Sequence, residues 1–242
     1  MTELTVGTWN CRMGLDRKLE AVSRLRCDVL VVPECSSHPA LARQPGVAFT
    51  WKGRYPRKGL GVFAFGGWRL EPAADPTPLP WVLPVHLVDP AGNAAGLLLA
   101  LWTVANSTER WGTYSTQVAA TIDAWESALA SGPTILAGDT NCSARGPSGE
   151  RHRSNMRRLE DIGVRSAHHT HQGVEHGAET EMTLRWFGRG GAPSFFHCDY
   201  VFLSHDLLPR LVSAEIGTMA DWVESGLSDH TPVVARIAGA SG

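Results

Sequence analysis

Cysteine is scarce in this chain, and the few cysteines do not fall into pairs. The five residues are scattered, their number is odd, and no two of them form a Cys-x-x-Cys motif. This pattern argues against the disulfide framework of a small secreted domain and against a cysteine-based zinc cluster. We therefore expect the reduced, scattered thiols of an intracellular protein.

Signals for export, membrane insertion and nucleotide-triphosphate binding are also missing. The first residues contain no basic segment followed by an apolar one, and the longest apolar run, around residues 94–105, is too short to span a bilayer. There is no GxxxxGK[ST] motif, which argues against an NTP-dependent enzyme. These features predict a soluble, cytoplasmic protein with no membrane span, and we expect it to be a monomer.

Charge is low and nearly balanced. Charged residues make up 19% of the chain, and the formal net charge is −2. Such a balance gives no global attraction to nucleic acid or to a membrane surface, although a local basic groove would suffice for nucleic acid.

Apolar residues are plentiful and follow the periods of strands and helices. They make up 43% of 242 residues, which predicts one core and a single domain over residues 1–242. The chain opens with a strand at 4–9, a helix at 15–26 and a buried strand at 28–33. Roughly ten strands and three or four helices along the whole chain predict an α/β fold of two packed sheets flanked by helices.

Five short polar motifs follow predicted strands, where a rigid scaffold usually presents functional groups. They are TWNC with Asn10, VPEC with Glu34, AGDTN with Asp139 and Asn141, CDYVF with Asp199, and LSDH with Asp229 and His230. Taken singly, most of these residues are typical of turns or helix caps. Glu34 and Asp199 adjoin apolar strands, however, where a carboxylate needs a partner or a metal ion. Because all the motifs occur together, they predict one shared site.

These residue types suit the hydrolysis of a phosphate ester. Carboxylate and amide oxygens are the ligands that Mg²⁺ or Mn²⁺ prefers, and a cation at Glu34 would stabilise charge on the phosphate. Asp139 is suited to orienting and deprotonating water. When a histidine is paired with an acid, the acid favours the charged form of the imidazole, and that charge would stabilise the transition state.

At this point the sequence resembles the endonuclease/exonuclease/phosphatase superfamily, whose members include apurinic endonucleases, DNases and phosphatases. The resemblance is carried by WN at 9–10, PE at 33–34, GDxN at 138–141, DY at 199–200 and SDHxP at 228–232, in the family's order. It implies a DNase-like, four-layered α/β sandwich of two mixed sheets flanked by helices. The segment 166–186 also resembles one found in some bacterial members of unknown substrate.

The resemblance also implies roles for the motif residues. Glu34 would be the main metal ligand, with Asn10 and Asp229 close by. Asp139 would activate the water, and Asn141 would help to orient it and the phosphate. His230, paired with Asp199, would contact the scissile phosphate.

One departure from the family concerns the phosphate contact. Many relatives have His or Tyr at the end of the strand before the GDxN motif, where this chain has Trp102. Indole offers a single N–H donor and carries no charge, so Thr103, Asn106 or Tyr114 could substitute for it.

Further substrate contacts are expected from the loops. We predict that Trp102, Asn106, Arg57 and His169 contact the substrate. Arg57 belongs to a basic segment at 52–58, and a second basic segment at 145–165 could complete a positive rim for a polyanion. A solvated loop and helix face would explain these charges equally well.

His169 belongs to a group of four histidines at positions 168, 169, 171 and 176. Zinc would require a cysteine or a carboxylate at a suitable offset, so a polar loop on the substrate side is the preferred interpretation.

The sequence predicts a Mg²⁺- or Mn²⁺-dependent phosphodiesterase, and the basic segments favour DNA or RNA as substrate. A small phosphorylated metabolite or a lipid headgroup is the alternative within the same enzyme class, and the near-neutral charge favours it. A non-catalytic binding module that keeps the fold is the alternative from another class.

Overall fold

The computed structural model describes residues 2–75, 77–104, 112–146, 148–188 and 190–239. Within them, two mixed six-stranded sheets pack face to face, and helices cover their outer faces. The predicted fold class, a DNase-like α/β sandwich of four layers, is therefore confirmed.

The first sheet combines strands from both ends of the chain. Its spatial order is β13-β14-β1-β2-β4-β3, and only β1 and β2 run parallel. The strands are β1 (Leu4–Thr8), β2 (Val29–Cys35), β3 (Ala48–Tyr55), β4 (Lys58–Ala64), β13 (Leu211–Ile216) and β14 (Val233–Ile237).

The second sheet is built from the middle of the chain. Its order is β5-β6-β7-β8-β12-β9, and only β7 and β8 run parallel. The strands are β5 (Arg69–Pro72), β6 (Val82–Val88), β7 (Ala94–Trp102), β8 (Thr134–Asp139), β9 (Arg165–Ser166) and β12 (Asp199–Leu203). A separate hairpin pairs β10 (Leu184–Phe187) with β11 (Pro193–Phe196).

Four helices accompany the sheets: α1 (Leu19–Arg24), α2 (Tyr114–Ala130), α3 (Gly149–Asp161) and α4 (Ala167–Gln172). Short helical turns also occur at Leu15–Arg17, Ala40–Arg43, Leu208–Arg210 and Ala220–Glu224. Of the helices in the described part of the chain, none has the length and apolar character needed to cross a membrane.

The apolar runs explain the layering. Along β7, Leu98 and Ala100 enter the core between the two sheets, whereas Leu99 and Leu101 pack beneath the outer helices. Successive side chains of a strand point to opposite faces, so a continuous apolar run marks a strand that is covered on both sides. Helix α2 completes the outer core with a buried stripe at helical spacing: Val118, Ile122, Trp125 and Leu129.

Each sheet contains one parallel pair whose strands are joined by a helical crossover, β1-α1-β2 in the first and β7-α2-β8 in the second. In open α/β sheets, ligands bind beyond the carboxyl ends of such strands. Asn10 follows β1, Glu34 lies near the end of β2, Trp102 ends β7 and Asp139 ends β8. The topology therefore brings three of the sequence motifs and Trp102 to one end of the sandwich.

Close packing of β7 against β8 explains the glycine of the GDTN motif. Gly138 has φ of +147°, and a Cβ atom at this position would lie 1.8 Å from the backbone oxygen of Leu101. A side chain would push β8 away from β7 immediately before Asp139.

The sequence-based element boundaries need several corrections. The single helix expected at 15–26 is a short turn followed by α1, since Lys18 leaves the helical conformation between them. Near the CDYVF motif the chain leaves β11 after Phe196 and enters β12 at Asp199, so two separate strands precede and contain the motif. Helix α4 lies in a polar segment where no helix was predicted; the Ser166 side chain caps its start, and left-handed Gly173 ends it.

Candidate active site

Two buried carboxylates face each other across neighbouring strands at the centre of the site. Asp139 on β8 and Asp199 on β12 are direct cross-strand partners, and both are 0% exposed. Like charges directly opposite each other in a sheet are destabilising. Burial, together with the neighbouring carboxylate of Asp199, raises the pKa of Asp139 to about 7. An acid with such a pKa can exchange a proton with water near neutral pH.

Amide groups surround the Asp139 carboxylate. The Asn10 side chain donates to Oδ2 over 2.9 Å, and the Asn141 side chain donates to the same oxygen over 3.0 Å. The Asn141 backbone N–H donates to Oδ1 over 2.8 Å. Asn141 adopts a left-handed backbone with φ of +48°, which allows both of its donors to reach the carboxylate. Three donors thus fix the orientation of Asp139.

His230 lies between the two acids. Its Nδ1 is 2.8 Å from Oδ2 of Asp199, and its Nε2 is 4.0 Å from Oδ2 of Asp139. Burial opposes a charge on the imidazole, but the carboxylates of Asp199 and Asp139 outweigh it and raise the pKa of His230 to about 10. The histidine is therefore an imidazolium at neutral pH, with Nδ1–H donated to Asp199 and Nε2–H facing the Asp139 side.

The serine of the SDH motif ties the His230 loop to β1. Ser228 Oγ donates to the Asn10 carbonyl over 2.7 Å and accepts from the His230 N–H over 3.1 Å. The Trp9 indole donates to the His230 carbonyl over 3.1 Å. Thr183 accepts the backbone N–H groups of Cys198 and Asp199, which holds the start of β12. These contacts explain why the motif residues converge although they are distant in sequence.

The second group of acids consists of Glu34 and Asp229, and each faces a cation. Glu34 Oε2 is 3.1 Å from the Lys58 ammonium, and Asp229 Oδ2 is 3.6 Å from Nε of Arg12. Glu34 also has φ of +62°, a conformation that is uncommon for a residue other than glycine and is often found at functional sites.

The donor set of this group fits a hard divalent cation. Asn10, Glu34 and Asp229 present amide and carboxylate oxygens, the ligand types that Mg²⁺ and Mn²⁺ prefer. A third acid, Asp199, has a buried Oδ1 that finds no hydrogen-bond partner among the described residues. The acids at this site carry negative charge that Lys58, at Glu34, and Arg12, at Asp229, offset in part. Such a concentration of acids is consistent with a cation site.

Trp102 lies where the sequence placed it, at the end of β7 and directly opposite Asp139 in register. The Lys58 ammonium stands 5.4 Å from the centre of its ring, so the indole forms a cation–π contact with the lysine that pairs with Glu34. Thr103 is fully buried, and its hydroxyl donates to the Thr140 carbonyl, so it is a structural residue and not a substitute phosphate contact.

An apolar cleft opens beside Asn141. It measures about 370 Å³ and is lined by Tyr114, Trp186 and Phe196 together with Arg145. Trp186 belongs to the β10–β11 hairpin, which leaves three large apolar side chains exposed to solvent: Trp186 (51%), Phe187 (56%) and Phe195 (41%). Flat rings that stand in water beside a charged site can stack on a base or a sugar.

The remaining predicted substrate contacts fare differently. Arg57 lies exposed in the β3–β4 turn, one residue from Lys58, and Asn106 lies outside the described residues.

His169 was placed on the substrate side, and that placement needs correction. Its ring nitrogens lie 2.8 Å from Ser166 Oγ and 2.9 Å from Glu179 Oε1, and its ring packs on Tyr200. Since neighbouring residues of β12 point to opposite faces, Tyr200 and His169 lie on the other side of the strand from Asp199.

The basic segment that follows the GDTN motif does not form a free positive rim. On α3, Arg153 and Arg157 both pair with Glu150, and Arg158 pairs with Asp123. Two carboxylates thus offset part of the positive charge on this helix, in line with the alternative of a solvated helix face.

Sequence reasoning missed three residues at the site. Lys58 was counted only as part of a basic segment, although it contacts Glu34 and Trp102. Thr183 supports the start of β12, and Cys198 brings its thiol 3.6 Å from Asp199. Cys198 stands in the CDYVF motif, which drew attention only to Asp199, and no motif marks Lys58 or Thr183, whose contacts depend on how distant segments of the chain meet.

Comparison with known proteins agrees with this architecture. The sequence model of the Endonuclease/Exonuclease/phosphatase family matches residues 7–230, which is most of the chain. No curated protein matches the sequence significantly.

Three solved structures illustrate the likeness of fold. A 3′ phosphatase from Neisseria bound to a product DNA hairpin is 17% identical, with a TM-score of 0.66 and coverage of 98% of this chain and 100% of that one. An AP endonuclease from Archaeoglobus fulgidus is 14% identical, with a TM-score of 0.66 and coverage of 97% and 99%. An endonuclease/exonuclease/phosphatase from Bacteroides vulgatus is 17% identical, with a TM-score of 0.68 and coverage of 98% and 99%.

Proposed function

Because this chain belongs to the Endonuclease/Exonuclease/phosphatase family and is therefore a metal-dependent phosphoric ester hydrolase, we propose that it cleaves phosphodiester bonds of nucleic acid. The observation that supports this chemistry most directly is the arrangement of Asp139, Asp199 and His230. Asp139 is oriented so that it can take a proton from water, and Asp199 holds the charged imidazole of His230.

Asp139 is the general base of this proposal. Its carboxylate is fixed by Asn10 and Asn141, and its raised pKa suits the removal of a proton from water at neutral pH. Asn141 sits at the edge of the cleft. Its two amide hydrogens go to the Thr103 carbonyl and to Asp139, so its Oδ1 is the atom that orients the water, by accepting a hydrogen bond. The proton that leaves the water passes to the Asp139 carboxylate.

His230 is the group that stabilises charge on the phosphate. As an imidazolium, it presents Nε2–H toward the Asp139 side of the site, where the attacked phosphate would lie. Asp199 positions the ring and maintains its charge through the 2.8 Å contact to Nδ1. Preorganised positive charge of this kind lowers the barrier because it does not have to reorient during the reaction.

Glu34 and Asp229, with Asn10 beside them, are the residues that would hold Mg²⁺ or Mn²⁺. The bound cation would supply positive charge that stabilises the non-bridging oxygens of the phosphate. Lys58 and Arg12 contact the two acids in the present arrangement, and their ammonium and guanidinium groups are then free to approach the phosphate.

Nucleic acid is favoured as the substrate by the aromatic hairpin. Trp186 and Phe196 line the cleft next to Asn141, whereas Phe187 and Phe195 lie on the other face of the hairpin. Each stacked base contributes on the order of 1–3 kcal/mol without regard to sequence. A small phosphorylated metabolite or a lipid headgroup is the second candidate, supported by the formal charge of −2 and by the paired arginines of α3.

The test is a hydrolysis assay with several phosphate esters. Bis-(p-nitrophenyl) phosphate and labelled DNA (single-stranded, duplex and abasic duplex) are incubated with Mg²⁺, Mn²⁺ or EDTA. Metal-dependent cleavage that is lost in His230→Ala, and retained when exposed His205 is replaced by Ala, is the expected result.

The substrate range then discriminates among the alternatives. Cleavage of DNA identifies a nuclease. Cleavage of phosphomonoesters or lipid headgroups without DNA cleavage identifies the small-substrate enzyme. If no ester is hydrolysed with either metal, the chain is a binding module that has kept the fold.

A further inference from the structure

A second cluster of metal-binding side chains lies behind the catalytic strand. On the face of β12 opposite Asp199, His169 of α4 meets His176 and Glu179 of the following loop, and their donor atoms all lie within 4.8 Å of one another. The imidazoles of His152 and His197 border this group at ring distances of 5.9 Å from His176 and 5.1 Å from His169. None of these side chains takes part in the proposed hydrolysis.

Buried polar atoms without partners point to a missing ligand. Nδ1 of His176, Nδ1 of His152, Nε2 of His197 and Oε2 of Glu179 find no hydrogen-bond partner among the described residues. His152, His197 and Glu179 are each at most 2% exposed. An unpaired polar atom at such depth costs on the order of 1–3 kcal/mol, so several of them in one place need an explanation.

His169 is already oriented as a ligand. Its Nδ1 is 2.8 Å from Ser166 Oγ, and its Nε2 is 2.9 Å from Glu179 Oε1. A hydrogen bond from one ring nitrogen to a neighbouring group is the usual way in which a protein directs the other nitrogen toward a metal. Ser166 also caps α4, so the helix start and the ring orientation are set by one residue.

From this geometry we propose that His169, His176 and Glu179 form a Zn²⁺ site that is separate from the Mg²⁺ or Mn²⁺ site of hydrolysis. Two imidazoles and one carboxylate are a zinc donor set, whereas hard cations prefer oxygen ligands alone. Tetrahedral donors at about 2.0–2.2 Å from zinc lie roughly 3.4 Å apart, so the 2.9 Å contact between His169 and Glu179 would open slightly on binding. The His176 ring, which stacks on His169 at 3.7 Å, would turn its nitrogen toward the ion.

The site has an entrance and a structural purpose. A cavity of about 260 Å³, lined by Ser166, His169, Glu175 and His176, leads to the surface, and His176 is only half-buried. An ion there would join α4 to the loop that follows it. It would also brace Tyr200, which packs on His169 and His176 and directly follows Asp199 on β12.

The experiment measures Zn²⁺ and Co²⁺ binding to the EDTA-treated, full-length protein carrying Asp139→Asn, so that the catalytic carboxylates contribute less to binding. We expect one Zn²⁺ per chain and the visible absorption of four-coordinate Co²⁺. A hundredfold excess of Zn²⁺ over Kd should raise the Tm by about 5–10 °C.

Three variants in the same background decide the assignment. His176→Gln and Glu179→Gln should bind Zn²⁺ about 100-fold or more weakly, whereas His171→Gln, which changes an exposed histidine of the same helix, should bind as the parent does. If Glu179→Gln does not fold, as judged by circular dichroism, half-buried His176→Gln still decides. Absence of binding to the parent, or binding unchanged in His176→Gln, would overturn the proposal.

Discussion

The Asp199→Asn variant tests whether the charge on His230 is what the second acid provides. Asparagine has nearly the same shape as aspartate, but it removes the negative charge that lies 2.8 Å from Nδ1. Without that charge, the pKa of His230 should fall from about 10 to its ordinary value of 6.5 or below, because burial of the ring then acts against protonation.

The magnitude follows from the protonated share of the imidazole. At pH 8, a pKa of about 10 leaves roughly 99% of the rings charged, whereas a pKa of 6.5 leaves about 3%. If only the imidazolium supports hydrolysis, kcat/KM should fall by at least about 30-fold at pH 8. The deficit should shrink as the pH falls toward 6, because acid restores the charge in the variant and the wild type has nothing to gain.

The assay is kcat/KM for bis-(p-nitrophenyl) phosphate between pH 6 and pH 9, expressed as the ratio of variant to wild type. A ratio cancels the titration of groups common to both proteins. His230→Gln is the control, since it has no titratable ring and its deficit should not change with pH. A ratio for Asp199→Asn that stays constant over this range would refute the argument that Asp199 acts by maintaining the imidazolium.

Three further predictions concern packing, reactivity and substrate contact. Gly138→Ala should lower the Tm, measured by thermal denaturation, by about 6–12 °C, because its Cβ would meet the Leu101 backbone at 1.8 Å. Gly190→Ala is the control and should leave the Tm unchanged, since Gly190 has open space around it. The five thiols should react with Ellman's reagent at pH 8 about 1,000-fold more slowly than an accessible cysteine. The reason is that burial raises the pKa of Cys11, Cys27 and Cys142 to about 12 and raises the pKa of Cys35 and Cys198 as well. Fast labelling of the folded protein would contradict this reasoning. Trp186→Ala should raise KM for single-stranded DNA about tenfold or more, with much less effect on KM for bis-(p-nitrophenyl) phosphate. Val212→Ala, which changes another exposed apolar residue, should alter neither KM. Equal losses on both substrates would exclude stacking.

The sequence was most informative where chemistry and burial conflict. A carboxylate such as Glu34 or Asp199 beside an apolar strand requires a partner, and the alternation of strands and turns predicts that these acids lie at strand ends. The two-sheet architecture followed from runs such as that of β7, which are apolar on both faces.

Contacts across the fold were less accessible to sequence reasoning. Lys58 reaches Glu34 because β4 pairs with β2, and register is set by the packing of whole sheets. His169 was expected near the substrate since it is polar and lies in the segment before β12. It packs on Tyr200 instead, and the alternation of β12 points Tyr200 to the face opposite Asp199, so His169 lies behind the strand.

The return of the chain to its first sheet has a consequence for how the enzyme forms. β1 pairs with β14, so that Leu4 lies opposite Ile237, and the sheet remains unfinished until nearly all of the chain has been synthesised. Contacts between such distant segments slow folding, and they leave strand edges exposed to aggregation while they are unmade. Because His230 precedes β14 by only a few residues, the histidine proposed for catalysis arrives together with the strand that closes the sheet. A chain that ends before residue 230 lacks both.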